Sequence, residues 1–140
     1  MTAPVTPIVL GPGEGRCYAM PAMRAVFKAD GAETGNRCSV SEWWVEPHCA
    51  GPGAHSHEAN DEIFYVIEGT ALVMVGDRWI DAQRGSFVFI PAGTTHDFAN
   101  RTGKPAGPFN VFVPGGFETN MQGIVKWFEE KGRTYSNSDD

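Results

Sequence analysis

Gly85-Ser86-Phe87-Val88-Phe89-Ile90-Pro91-Ala92-Gly93-Thr94-Thr95-His96-Asp97-Phe98-Ala99-Asn100 is the stretch whose reading decides the fold. Two short runs, 86–90 and 95–99, flank a Pro-Ala-Gly turn and carry the aromatic and β-branched residues of strands. Gly85 and Gly93 mark turns that need a positive φ. Asn100 follows as a residue suited to cap a turn through side-chain to backbone hydrogen bonds. His96 stands where the second run begins.

Working outward, the same texture repeats. Strands are expected at 16–20, 23–28, 39–46, 63–67, 70–75, 78–82 and 109–113, with turns at Asp30-Gly31, Glu68-Gly69 and Gly76-Asp77. A short strand is also expected at Ile8-Val9-Leu10. In 39–46, alternation puts Ser41, Trp43 and Val45 on one face and Glu42, Trp44 and Glu46 on the other. One of the two tryptophans is expected in the core, the other at a subunit interface or under the helix. Seventeen Gly and ten Pro between short apolar runs point to an all-β sandwich or barrel. From Phe117 the period changes. Phe117, Met121, Ile124, Val125 and Phe128 share one helical face, and Gly132 is a stop signal. This helix is expected to pack on the barrel exterior, with a polar tail from Tyr135 onward. The organisation expected is an irregular arm at 1–15, a β-barrel at 16–115, and a helix with tail at 116–140.

Bulk properties narrow the function. A length of 140 residues suits one domain. A net charge of −6, with no cluster of Lys and Arg, argues against nucleic acid or an anionic membrane as partner. No apolar run approaches the length of a membrane span, and the first ten residues do not resemble a signal peptide. Cys17, Cys38 and Cys49 show no C-x-x-C spacing and read as reduced thiols of a cytoplasmic protein.

The chemistry concentrates in three of the four histidines. His55-Ser56-His57 precedes Glu62 by five residues, and His96 follows the Pro-Ala-Gly turn. On a strand, a His-x-His pair points both rings to one side. Neutral imidazole and carboxylate suit borderline and hard divalent ions. Without a metal, each clustered imidazole would need its own buried hydrogen-bond partner. By strand parity, Phe64 and Val66 share the face of Glu62, and Phe98 that of His96. With Met74 and Val111 they are expected to line an apolar pocket. His48 and Cys49 are candidates for its rim, although a solvated loop histidine and a space-filling cysteine are the plainer readings.

These motifs resemble the cupin superfamily, written G-x5-H-x-H-x3,4-E-x6-G and G-x5-P-x-G-x2-H-x3-N. The second is complete from Gly85 to Asn100. The first runs from His55 to Gly69 but carries Cys49 at its leading glycine, with Gly51 and Gly53 nearby. The resemblance covers Arg16 to about Glu118, and the sequence after Val113 is similar to small cupins of the quercetinase-like kind. It implies a jelly-roll barrel holding one divalent ion (Fe, Mn, Ni, Zn or Cu) through His55, His57, Glu62 and His96. It implies a homodimer, formed by sheet edges or the arm. It also implies a small-molecule dioxygenase acting on an enolisable or aromatic substrate, with Glu62 doubling as base. A non-redox isomerase, decarboxylase or lyase, and a non-catalytic small-molecule binding cupin, are the alternatives.

Overall fold

Alternation along the strands decides which side chains meet. In Ser39–Val45, residues 39, 41, 43 and 45 are all buried, and Val40, Glu42 and Trp44 stand on the other face. The computed structural model describes residues 4–131, which form nine strands. They are β1 (Arg16–Met20), β2 (Met23–Ala29), β3 (Ser39–Val45), β4 (Asp61–Glu68), β5 (Thr70–Val75), β6 (Arg78–Gln83), β7 (Phe87–Ile90), β8 (His96–Ala99) and β9 (Gly107–Val113). Six form one sheet in the order β1-β2-β3-β9-β4-β7, and three form a second in the order β6-β5-β8. All pairings are antiparallel. The result is an all-β jelly roll whose inner faces supply the core, including Phe27, Phe64 and Ile90 from the larger sheet and Ala71 and Val73 from the smaller.

Local sequence explains where this departs from the expected elements. Residues 8–10 form no strand. Val9 is 90% exposed, and Pro7 and Pro12 remove donors a ladder would need. Asp30-Gly31 opens a single helical turn, α1 (Gly31–Thr34), because the Glu33 carboxylate accepts from the Asp30 N–H at 3.0 Å. Arg16 pairs with both Asp30 and Glu33, fastening this turn to β1. After β9 a 3₁₀ turn (Phe117–Asn120) leads into α2 (Met121–Lys131). Glu118 ties it down, accepting from the Gly31 N–H at 3.0 Å and the Ser39 hydroxyl at 2.6 Å. The stop at Gly132 and the tail from Tyr135 lie outside the described residues.

The loop before β4 is as well anchored as a strand. It runs antiparallel along β8, bridging Cys49 to Asn100 and His55 to His96. Between them the Gly53 N–H donates to Asp97 Oδ1 at 3.2 Å. Gly51 touches β8 so closely that a Cβ there would lie 1.7 Å from the Phe98 carbonyl oxygen. Asn100 closes the end of this seam. Its Nδ2 donates to the Val45 and Lys104 carbonyls, and its Oδ1 accepts from the Thr102 N–H. Cys49 is fully buried beside it, and burial pushes its thiol up to about 11, with Glu46 adding a smaller push. Trp43 is the core tryptophan; Trp44 lies outside, over Gly107 and beneath Arg24.

Two outcomes follow. Gly51→Ala should destabilise the fold by on the order of 3 kcal/mol in urea unfolding, because backbone must move to admit the methyl group. An aromatic disulfide reagent at neutral pH should modify the exposed Cys17 readily and reach Cys49 only after unfolding.

Candidate metal centre

The seam along β8 places the ligands. The His55 N–H donates to the His96 carbonyl at 3.0 Å, and the His96 N–H returns the bond at 2.8 Å. The Gly93 N–H donates to the His57 carbonyl at 2.9 Å. Gly93 has φ +86°, a conformation that favours glycine in the turn before His96. His55 and His57 therefore stand together without lying in a regular strand, contrary to the expectation. A backbone bridge at His55 does what the strand would have done.

Side-chain bonds then aim the rings. His55 Nδ1 lies 2.7 Å from the Gly53 carbonyl and His96 Nδ1 lies 2.9 Å from the Thr94 carbonyl. A carbonyl only accepts, so each Nδ1 carries a proton, which leaves Nε2 as the nitrogen that an ion can take. His57 is steadied by rings, with Phe112 at 5.3 Å and Phe117 at 5.4 Å, both edge-on. Those two phenylalanines stack on one another at 3.9 Å. One potential ligand nitrogen from each of the three histidines falls within a 4.8 Å cluster. Glu62, at the start of β4, brings Oε1 to 2.7 Å from His96 Nε2 and 3.5 Å from His57 Nε2.

The donor set fits a divalent ion. His57 Nε2, His96 Nε2 and Glu62 Oε1 are buried and lack hydrogen-bond partners. Two imidazole nitrogens and a carboxylate oxygen crowded this closely, with His96 Nε2 and Glu62 Oε1 at 2.7 Å, form a donor set that a cation would complete. The electrostatics agree. Burial lowers the pKa of His57, against an opposing pull from Glu62. Burial also works against protonated His96, but its contact with Glu62 outweighs this and leaves the pKa raised. His57 thus favours the neutral state that ligation requires, and the negative charge of Glu62 attracts positive charge to this spot.

A cavity of about 350 Å³ adjoins the cluster. Trp43, Phe64, Phe98, Phe112, Phe117 and Phe128 give it an aromatic wall, and His55, His57, Glu62 and Asn110 give it a polar side. No Lys or Arg is among its described lining residues. Phe64 and Phe98 stand where expected. Val66 does not line the cavity; it is fully buried in the core. Met74 and Val111 fall on the outer faces of β5 and β9, whose inward residues are Ala71, Val73, Asn110 and Phe112. Unbroken apolar runs hid that parity. His48 is exposed and outside the lining, and Cys49 is buried rather than at a rim. Helix α2 is not merely external, since Ile124 and Phe128 form part of the wall. The expected lining also lacks Trp43, Phe112, Phe117 and Phe128, and one polar residue, Asn110. Its signal was a lone amide in the apolar run Phe109-Asn110-Val111-Phe112-Val113.

Known proteins agree with this fold. The cupin domain family model matches residues 41–112, just over half of the chain. An uncharacterised protein of Streptomyces coelicolor is 42% identical over 40 residues, covering 29% of this chain and 38% of that protein. One from Methanocaldococcus jannaschii is 30% identical over 46 residues, covering 33% and 37%. The alignments thus span well under half the length of either relative. Among solved structures, KdgF from a Halomonas species superposes with a TM-score of 0.71 at 17% identity, over 81% of this chain and 99% of that one. A predicted oxalate decarboxylase from Thermotoga maritima gives 0.69 at 16%, over 76% and 99%. Bacillus subtilis oxalate decarboxylase, described with Mn(II) centres, gives 0.69 at 20%, over 84% and 32%. At such identities the structural likeness speaks for the fold alone, while the family match spans His55, His57, Glu62 and His96 and just over half of the chain, so that the chain belongs to the cupin domain family.

Proposed function

We propose that this chain is a metal-dependent cupin enzyme of dioxygenase type, acting on a small enolisable or aromatic substrate. The observation that carries the reading is the junction of unpartnered ligand atoms with an aromatic cavity free of Lys and Arg among its described lining residues. His55, His57, His96 and Glu62 would hold the ion. When bound, it supplies Lewis acidity and, if redox-active, electrons for oxygen chemistry. Fe, Mn, Ni, Zn and Cu all suit this donor set, and the Mn(II) centres of a structural neighbour make Mn a natural first trial.

The chain's own residues do the rest. The aromatic wall buries a flat apolar substrate and excludes water, which strengthens electrostatic interactions inside. Glu62 would double as base: released from the ion, its carboxylate takes a proton from a substrate hydroxyl or enol. Carboxylate substrates, such as the small oxo acids of a decarboxylase or isomerase, call for a cationic clamp. The described lining offers them Ser56, Asn120 and apolar surface, with no such clamp.

Elemental analysis should find one divalent ion per chain. His57→Ala should lose most of it while keeping the β signature in circular dichroism; wild-type metal content in that variant would sink the ligand assignment. Oxygen uptake should rise above background with an enolisable or phenolic substrate when the right metal is loaded. Turnover of the same substrates without oxygen would move the assignment to non-redox chemistry, and full coordination with no turnover would move it to a binding role.

The partner proposed beyond the substrate is a second copy of the chain. Two lateral rows cross the outer face of the larger sheet in register, Val40-Val111-Ile63-Phe89 and Glu42-Phe109-Tyr65-Phe87. Phe87 is 64% exposed at their end, and the arm residues Ile8 and Leu10 lie by Val40 and Glu42 at the other. Tyr65, Phe89 and Val113 on the same face are also exposed, and a standard interface needs roughly 800 Å² per partner. Only Glu42 is charged in the rows, so two chains of net charge −6 can meet here with little repulsion. Sedimentation should show a dimer that Phe87→Lys with Phe89→Glu converts to a folded monomer. A monomeric wild type at every accessible concentration would rule the pairing out.

A further inference from the structure

Asn110 lies on β9, in register with Ser41 on one side and Phe64 on the other. It is 1% exposed and takes part in the cavity lining. Its Nδ2 donates to Glu62 Oε2 at 2.6 Å. A carboxylate oxygen accepts, so the amide must present its NH₂ to Glu62 and turn its own oxygen elsewhere. That oxygen, Oδ1, is buried with no hydrogen-bond partner.

The arrangement makes the two Glu62 oxygens unequal. Oε2 is engaged by Asn110. Oε1 is left toward the histidines, 2.7 Å from His96 Nε2 and 3.5 Å from His57 Nε2. An unrestrained carboxylate could rotate and engage an ion through either oxygen or both. The bond from Asn110 removes that choice. A residue serving packing alone would gain nothing from an amide here, because a bare buried acceptor costs stability that an apolar side chain of the same shape would not. An amide that spends its donor on a ligand, and leaves its acceptor unmet, is explained by what it does to that ligand.

We infer that Asn110 is a positioning residue that presents Glu62 to a bound ion through the single oxygen Oε1. The inference rests on the metal reading proposed above. It acts through Glu62 and does not itself touch the ion. Holding one oxygen back leaves a coordination position that a two-oxygen carboxylate would fill, and that position is where a substrate oxygen would enter.

The test uses the full chain loaded with Co(II), whose absorption spectrum reports coordination number, together with Co(II) affinity measured against a competing chelator. Asn110→Leu keeps the volume and removes the donor. It should weaken Co(II) binding by roughly tenfold or more and shift the ligand-field bands, as loss of a bond orienting a ligand does elsewhere. In a Glu62→Ala background the same substitution should have no further effect on either readout, because Asn110 then has nothing to orient. Asn110→Val, which also lacks the donor, replaces the leucine variant if circular dichroism shows that one unfolded. An unchanged affinity and spectrum, or an effect undiminished in the Glu62→Ala background, would overturn the inference. A wild-type chain that binds no Co(II) or other divalent ion would instead overturn the metal reading, and this inference with it.

Discussion

Two backbone hydrogen bonds between His55 and His96 are the constraint on which the rest of the site depends. They join residues 41 apart in the chain and belong to neither side chain. Because an antiparallel bridge fixes separation and facing together, it settles where both imidazoles begin. The bond from Gly93 to the His57 carbonyl extends the clasp by one more ligand. Bonds at Nδ1 then choose the tautomers. Side chains held this way need little reorganisation to accept an ion, so little binding energy is lost to ordering them.

What lies at the centre is a local conflict that the fold sustains. Imidazole nitrogens and a carboxylate are crowded together in a core where a buried amide such as Asn100 finds three backbone partners. Proteins retain unsatisfied clusters of this kind chiefly at sites of function. Around it, the packing is conventional: rings lie against rings, and the Gly53 and Thr94 carbonyls hold the imidazoles from behind. Opposed shifts in the pKa values of His57 and His96 express the same conflict, burial prevailing at one ring and Glu62 at the other.

Much of this was legible in the residues, and the illegible part has a common cause. Strand positions followed from turn chemistry, because Gly and Pro punctuate so regularly. The ligand residues followed from their spacing. Facing was readable in β3, where Ser and Glu alternate with Trp and Val. It was not readable in 70–75 or 109–113, where apolar residues occupy both faces because each outer face is itself partly covered. Met74 and Val111 were misplaced for that reason, and Asn110 went unnoticed beside Val111. Val66 shared a face with Phe64 as alternation required, but periodicity carries no information about depth along the barrel. The place of α2 was hidden for a similar reason. A helical stripe says that something is buried, not whether it meets a core or a cavity.

The stacked pair Phe112 and Phe117 has a consequence for how such a chain can diversify. One ring belongs to β9 and the other to the segment that leads into α2, and together they brace His57. On the barrel side of that contact lie all the ligand residues. Beyond it, Phe117, Asn120, Ile124 and Phe128 shape the cavity and hold none of the ligands. The two tasks therefore reside on separable stretches of polypeptide. Exchange of α2 would recut the chamber for a different guest while the ion-holding frame, knit into β4 and β8, stayed as it was.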